Sequence, residues 1–340
     1  MSFTGATMSS DGEPLFEAFL NQHDDTAWRA VVRKLLPTIH EIDRTATTIW
    51  FYFYPLALRR ALQRAEDPQA LAKRLLLQGK HDLKDQIDSS HRFLYGHRYW
   101  PQVKAAVSEY AATSAPASLD LATQIREVAA NVARKSKANE SLLVGITAVA
   151  FMTLQQVGAS AFKAASGATH PLPNNSPEQI LRERVRDERQ GLFGFLKPDK
   201  EFTVTFDEND GQAKFKLINT QQLTTAAAND KRDYTARDPR CMAGEGPIPI
   251  ECRSASCGTC WVGVLGGAEK LSDVSELEHR RMKEFGYIDS EASKPLIRLA
   301  CQAQGFGSVS IVIPPWNGVF GKYLKGYKSL LEELPSETES

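Results

Sequence analysis

The chain has no excess of charge of either sign: 41 Lys and Arg stand against 41 Asp and Glu in 340 residues. Nucleic-acid binders draw most of their affinity from a basic face, so a balanced chain argues against that class. No G-x-G-x-x-G follows a strand-like run, and no phosphate loop, Ser/His/Asp set or paired carboxylates stand out, so no catalytic centre is expected. Cysteine is scarce, at five, an odd number. Met1 to Pro14 carries no basic region, apolar core or twin arginine of an export signal. Together these exclude a disulfide framework and lead us to expect a reducing, cytoplasmic setting with free thiols. Long apolar runs are also lacking. Ser141 to Phe162 is uncharged over 22 residues, long enough to span a membrane, but Thr147, Thr153, Gln155, Gln156 and Ser160 interrupt it. A buried central helix is the better reading, which leaves only peripheral contact with the inner face of a membrane.

The hydrophobic content of 42% is ample for a core, and the length suggests two domains. Charge is unevenly split: residues 1–196 hold 23 basic and 20 acidic residues, leaving 18 and 21 for residues 197–340. After an expected flexible leader (1–14), the pattern to residue 166 is helical throughout. Apolar positions recur three and four apart, as in Trp28, Val31, Val32, Leu35 and Leu36. Prolines 37, 55, 68, 101 and 116 divide it into helices near 38–64 (kinked at Pro55), 68–78, 80–99, 101–112, 118–138 and 140–166, an all-α domain. A Gly/Pro/Asn-rich stretch at 167–177 and a charged helix, Pro177 to Gln190, read as a linker to residue 197. Alternation then takes over. Phe202, Val204 and Phe206, a turn at 208–211, and Ala213, Phe215 and Leu217 make a β-hairpin. Thr220 to Asn229 reads as a short helix, Trp261–Leu265 and Val309–Ile313 as strands, and Asp273 to Phe285 as a helix ended by Gly286. Residues 198–315 are therefore a small α+β domain, and 316–340 a tail.

The chemistry lies in that second domain. Ile250-Glu-Cys-Arg-Ser-Ala-Ser-Cys-Gly-Thr-Cys-Trp261 spaces its cysteines C-x4-C-x2-C, and Cys301 follows in Arg-Leu-Ala-Cys-Gln. A compact triplet with one distant cysteine matches a [2Fe–2S] ligand set. Structural zinc more often uses two short-spaced couples. Thiolates are soft ligands for iron, and Ser254, Ala255, Ser256, Gly258 and Thr259 are small enough to let backbone N–H groups approach the sulfurs. Cys241, eleven residues upstream, reads as an ordinary thiol.

Over residues 198–315 the chain resembles the plant/adrenodoxin ferredoxin superfamily. The resemblance is carried by the strand–turn–strand–helix order, the CRSASCGTC loop, the Glu269-Lys-Leu-Ser272 segment and RLACQ. It implies a β-grasp fold, one [2Fe–2S] cluster held by Cys252, Cys257, Cys260 and Cys301, and one-electron transfer. Ala255 stands where that family usually has glycine, and residues 230–247 read as an insertion beside the cluster loop.

Architecture then implies a carrier that is not itself an enzyme, with the helical half docking it to a donor oxidoreductase and an acceptor. A dedicated iron–sulfur subunit of a larger oxidoreductase, such as an uptake hydrogenase feeding a quinone pool, fits that plan. The alternatives are a redox sensor, or an enzyme whose helical half takes electrons from its own ferredoxin domain. Weaker signals carry less. Arg232-Asp-Tyr-Thr235 matches a flavin-binding R-x-Y-[ST] pattern but sits in the polar insertion. The aromatic run Ile49 to Tyr54 reads as core packing, and His81, His91 and His97 as ordinary histidines. HRFLYGHRYW, residues 91–100, reads as a contact surface.

Overall fold

The computed structural model describes residues 15–113, 120–168, 171–185, 200–287 and 292–323. The expected leader, the end of the helix drawn to Gln190 and the part of the expected tail from 324 to 340 lie outside them. In chain order the helices and strands are α1 (Leu15–Asn21), α2 (Asp25–Leu35), α3 (Glu41–Phe53), α4 (Leu56–Arg64), α5 (Pro68–Arg74) and β1 (Gln78–Gly79). Next come α6 (Trp100–Thr113), α7 (Leu121–Ser136), α8 (Ser141–Val157), α9 (Ala159–Ala164) and α10 (Pro177–Val185). The rest are β2 (Glu201–Thr205), β3 (Lys214–Ile218), α11 (Leu223–Ala227), β4 (Trp261–Gly266), α12 (Glu276–Phe285), β5 (Ile297–Leu299), β6 (Val309–Val312) and β7 (Trp316–Asn317). The chain forms two compact units, residues 1–59 with 82–183, and residues 60–81 with 184–340.

The first unit is helical around α8. Its helices start where the sequence offers caps: the Asp24 carboxylate accepts the Ala27 N–H at 2.8 Å, and Asp120 caps α7. Trp28, Val32 and Leu35 put one face of α2 in the core. α8 is buried on nearly every face, each Leu or Ile there contributing roughly 2 kcal/mol relative to exposure. Its polar residues are tied to the surrounding helices. Gln155 donates to the carbonyls of Leu20 and His23 and accepts the Trp28 indole N–H, and Gln156 donates to the Tyr54 carbonyl at 2.8 Å. Among the described residues no helix is long and apolar enough to cross a membrane. Ile49, Trp50, Phe53 and Tyr54 are core residues.

Several boundaries differ from expectation. The 38–64 helix breaks at Tyr54–Pro55 into α3 and α4, and the 140–166 helix breaks at Gly158, whose φ of +83° no helix accommodates. Residues 80–99 hold two short 3₁₀ turns, 83–86 and 95–99, rather than a helix: the Asp82 carboxylate takes the Lys84 N–H at 2.9 Å, and the Asp43 carboxylate takes those of Tyr95 and Gly96 at 2.6 and 2.8 Å. The same packing buries His91, Leu94, Gly96, His97 and Trp100, so half of HRFLYGHRYW is core, while Arg92, Phe93, Tyr95, Arg98 and Tyr99 keep part of their surface exposed.

His91 and His97 meet at 2.9 Å through their Nδ1 atoms, under the Trp100 ring, while His91 Nε2 faces the Ile87 carbonyl. Burial, and then the neighbouring His97, hold His91 well below the usual imidazole range. The folded protein therefore keeps His91 neutral where the unfolded chain takes up a proton. Stability is fully present above about pH 6.5 and falls below it, at up to about 1.4 kcal/mol per pH unit. Urea unfolding at pH 7.5, 6 and 5 is expected to show this slope, and His91→Gln to flatten it.

The second unit holds a five-stranded mixed sheet in the order β3-β2-β6-β4-β5. β2 and β3 pair antiparallel as the expected hairpin, with Val204 opposite Phe215, and β2 lies parallel to β6. β4 is antiparallel to β6 and β5, and nearly all its residues are buried, as suits an interior strand. α12 packs on β5 and ends at Gly286, in the left-handed region at φ +93°. Residues 60–81, expected in the all-α domain, belong to this unit. β1 pairs antiparallel with β7, Lys80 N–H bonds the Pro315 carbonyl at 2.8 Å, and Val319 N–H bonds Leu75 at 2.7 Å. The residues from 316 to 320, expected as tail, are therefore structured, with Trp316 and Phe320 buried.

Candidate metal centre

Cys252, Cys257 and Cys260 lie on the loop that enters β4, and Cys301 lies just past β5, the strand paired with β4. The ladder that joins Trp261 to Leu299 is what brings the distant cysteine to the triplet. The thiols meet in twos: Cys252 hydrogen-bonds Cys257, and Cys260 hydrogen-bonds Cys301. Cys260 and Cys301 are buried, whereas Cys252 and Cys257 are half-buried. Among the described residues no three His, Cys, Asp or Glu side chains are set around one point to hold a single metal ion. Two facing pairs offer two thiolates to each of two metal atoms.

The loop curls because Arg253, Ala255 and Gly258 all take positive φ, at +55°, +59° and +75°. For Arg253 and Ala255 this backbone costs about 1 kcal/mol each, which the loop's inward hydrogen bonds offset. Alternating hands turn successive N–H groups to the same side, a concavity suited to an anion. Ser254 and Ser256 N–H reach Cys252 Sγ at 3.4 and 3.2 Å. Ala255 N–H serves Cys301, and Thr259 serves Cys257 through its N–H and its hydroxyl. Gln302 adds a side-chain donor to Cys301 at 3.5 Å.

Burial opposes ionisation of Cys252, but the Ser254 N–H, the Cys257 thiol and the Ser256 N–H outweigh it and bring its pKa down to about 6. The hydrogen bond from Cys260 leads in bringing Cys301 down to about 7. The partners go the other way. Burial lifts Cys257, and the bond to Cys301 followed by burial lifts Cys260 well above the usual thiol range. In each pair the two thiols are driven apart, and Cys252 and Cys301 are the ones readier to ionise. Thiolate donors, a two-by-two arrangement and a lining of N–H groups fit a binuclear iron–sulfur cluster.

The sequence comparisons agree. Residues 221–304 match the 2Fe-2S iron-sulfur cluster binding domain. The cofactor of this chain is a [2Fe–2S] cluster. A 57-residue stretch is 40% identical to a protein named Ferredoxin from Bacillus thermotolerans. That stretch is 17% of this chain and 41% of that protein, so the chain spans less than half of the relative it matches. No solved structure matches the chain. The matched residues all lie in the second unit, and the β2–β3 hairpin and β6 lie outside the match.

Other candidates fall away from the 2Fe-2S domain's centre. Cys241 is buried, its thiol donates to the Pro247 carbonyl, and burial pushes its pKa up to about 11. Arg232 of the flavin-like pattern is spent on Asp230 and on the carbonyls of Gln212 and Lys214. Sequence reasoning missed the aromatic group behind the loop, Trp261, Tyr287, Trp316 and Phe320, because its members are single residues from separate segments. It also missed Arg240 in the insertion, which binds Asp238, the Pro314 carbonyl and Asn317.

Proposed function

We propose that the chain is a one-electron carrier in which Cys252, Cys257, Cys260 and Cys301 hold one [2Fe–2S] cluster in a β-grasp domain. The observation that carries this reading is the two facing thiol pairs over an N–H-lined loop. Those donors favour the more negative, reduced state and so make reduction accessible. The pairs differ in access. Cys260 and Cys301 are sealed behind β4 and β5, whereas Cys252 and Cys257 reach the surface, so a partner approaches from their side. The sheet order, the hairpin, α11 and α12 support the β-grasp assignment. The cluster supplies the electron-accepting centre, and the chain's own residues hold it, shield it from water and present one edge.

Donor and acceptor are redox proteins. The helical unit serves as the part that fixes the carrier to its complex. An oxidoreductase such as a hydrogenase coupled to quinone reduction is the kind of assembly that uses a dedicated subunit of this design. Aerobically purified protein is expected to show the visible bands of an oxidised [2Fe–2S] centre. On reduction it should give a rhombic EPR signal that integrates to about one spin per chain. A colourless, zinc-loaded protein would overturn the reading. Affinity purification from the native host then identifies donor and acceptor.

A further inference from the structure

Tyr287 follows the cap of α12 and is 1% exposed. Its ring stacks on Trp261, the neighbour of Cys260, with centroids 4.0 Å apart and planes 8° from parallel. Its hydroxyl oxygen lies 2.5 Å from the Gly258 carbonyl and 2.7 Å from the Gly318 carbonyl, and it accepts the Gly318 N–H at 3.1 Å. A phenol has one proton, and the shorter contact directs it to Gly258. Gly258, at φ +75°, leaves a side chain little room: a Cβ there would stand 3.1 Å from the Phe285 ring and 3.2 Å from the Tyr287 hydroxyl.

The Gly258 carbonyl belongs to the same peptide as the Thr259 N–H, which faces the Cys257 sulfur. A peptide is planar and trans, so its C=O and N–H point in opposite directions. Fixing the carbonyl at Tyr287 aims the N–H at the sulfur. A hydrogen bond received at the carbonyl also polarises the peptide and strengthens its N–H as a donor. We infer that Tyr287 is a positioning residue for the cluster: its hydroxyl braces the 258–259 peptide so that the Thr259 N–H donates to Cys257, and through that bond it raises the reduction potential. This rests on the ligand set proposed above. The indole N–H of Trp261 bonds the Trp316 carbonyl at 3.0 Å, so the brace is itself anchored to β7.

Tyr287→Phe keeps the ring against Trp261 and removes only the hydroxyl. Placing 3-fluorotyrosine at 287 keeps the hydroxyl and makes it a stronger donor. Both are compared with wild type as cluster-loaded full-length chains, by EPR-monitored redox titration, with thermal unfolding alongside. The potential is expected to move to a more negative value in Tyr287→Phe and to a less negative one with fluorotyrosine. A hydroxyl with a structural role alone would change the unfolding temperature and leave the potential in place, and that result overturns the brace. If Tyr287→Phe does not retain the cluster, the fluorotyrosine protein decides: a less negative potential supports the brace, and an unmoved or more negative one overturns it. A wild-type chain without a [2Fe–2S] spectrum removes the ligand assignment instead, and this is seen before any variant is compared.

Discussion

Cys301→Ala is expected to yield a chain without visible absorption and with iron content near zero, whereas Cys241→Ala retains the cluster. Cys301 is fully buried and hydrogen-bonded to Cys260, and in the proposed ligand set these two hold one iron. Removing its sulfur leaves that iron one ligand short in a place closed to water, so no solvent oxygen completes the set. Cluster binding is linked to folding of the loop, so the same variant is expected to unfold at lower urea concentration. Cys241 has its own partner in the Pro247 carbonyl, a contact whose net worth is about 1 kcal/mol, and its loss should move only stability. Iron and sulfide assays with absorption spectra read both variants. A colourless Cys241→Ala protein beside a coloured Cys301→Ala protein would refute the ligand assignment.

The legible part of this molecule is the part in which spacing is local. Three cysteines within nine residues announce a loop around a metal whatever the fold, and the 202–217 hairpin shows in strict alternation because one face is buried. Gly286 ended α12 because only a left-handed cap fits there. What sequence did not show depends on distant partners. Residues 60–81 have the same helical texture as their neighbours, and nothing local marks that they join the second unit through β1 and β7. The 3₁₀ turn at 95–99 starts where one carboxylate, Asp43, some fifty positions away, takes the N–H groups of Tyr95 and Gly96. Tyr287 is invisible for the same reason, since its value lies in the peptide it holds.

The largest stability effect is expected at the buried pair of Arg298 and Glu278, each side chain 1% exposed. The contact is bidentate, at 2.9 and 3.0 Å, and Glu278 also accepts the Leu299 N–H at 2.9 Å, while Arg298 donates to the Ser272 carbonyl at 2.8 Å. It pins α12 to β5 two residues before Cys301. Glu278→Ala leaves a guanidinium buried without its counter-charge and frees the Leu299 N–H. The cost is about 3–5 kcal/mol, a large part of the 5–15 kcal/mol that holds a typical domain. Urea unfolding should show the loss directly, and cluster retention should fall because β5 no longer fixes Cys301. Removing both charges tests whether the pair itself stabilises. In Glu278→Leu with Arg298→Met the desolvation penalty disappears with the attraction, and most of the lost stability is expected to return. If the double variant is as unstable as Glu278→Ala, the role of Glu278 lies in the Leu299 N–H bond rather than in the charge pair.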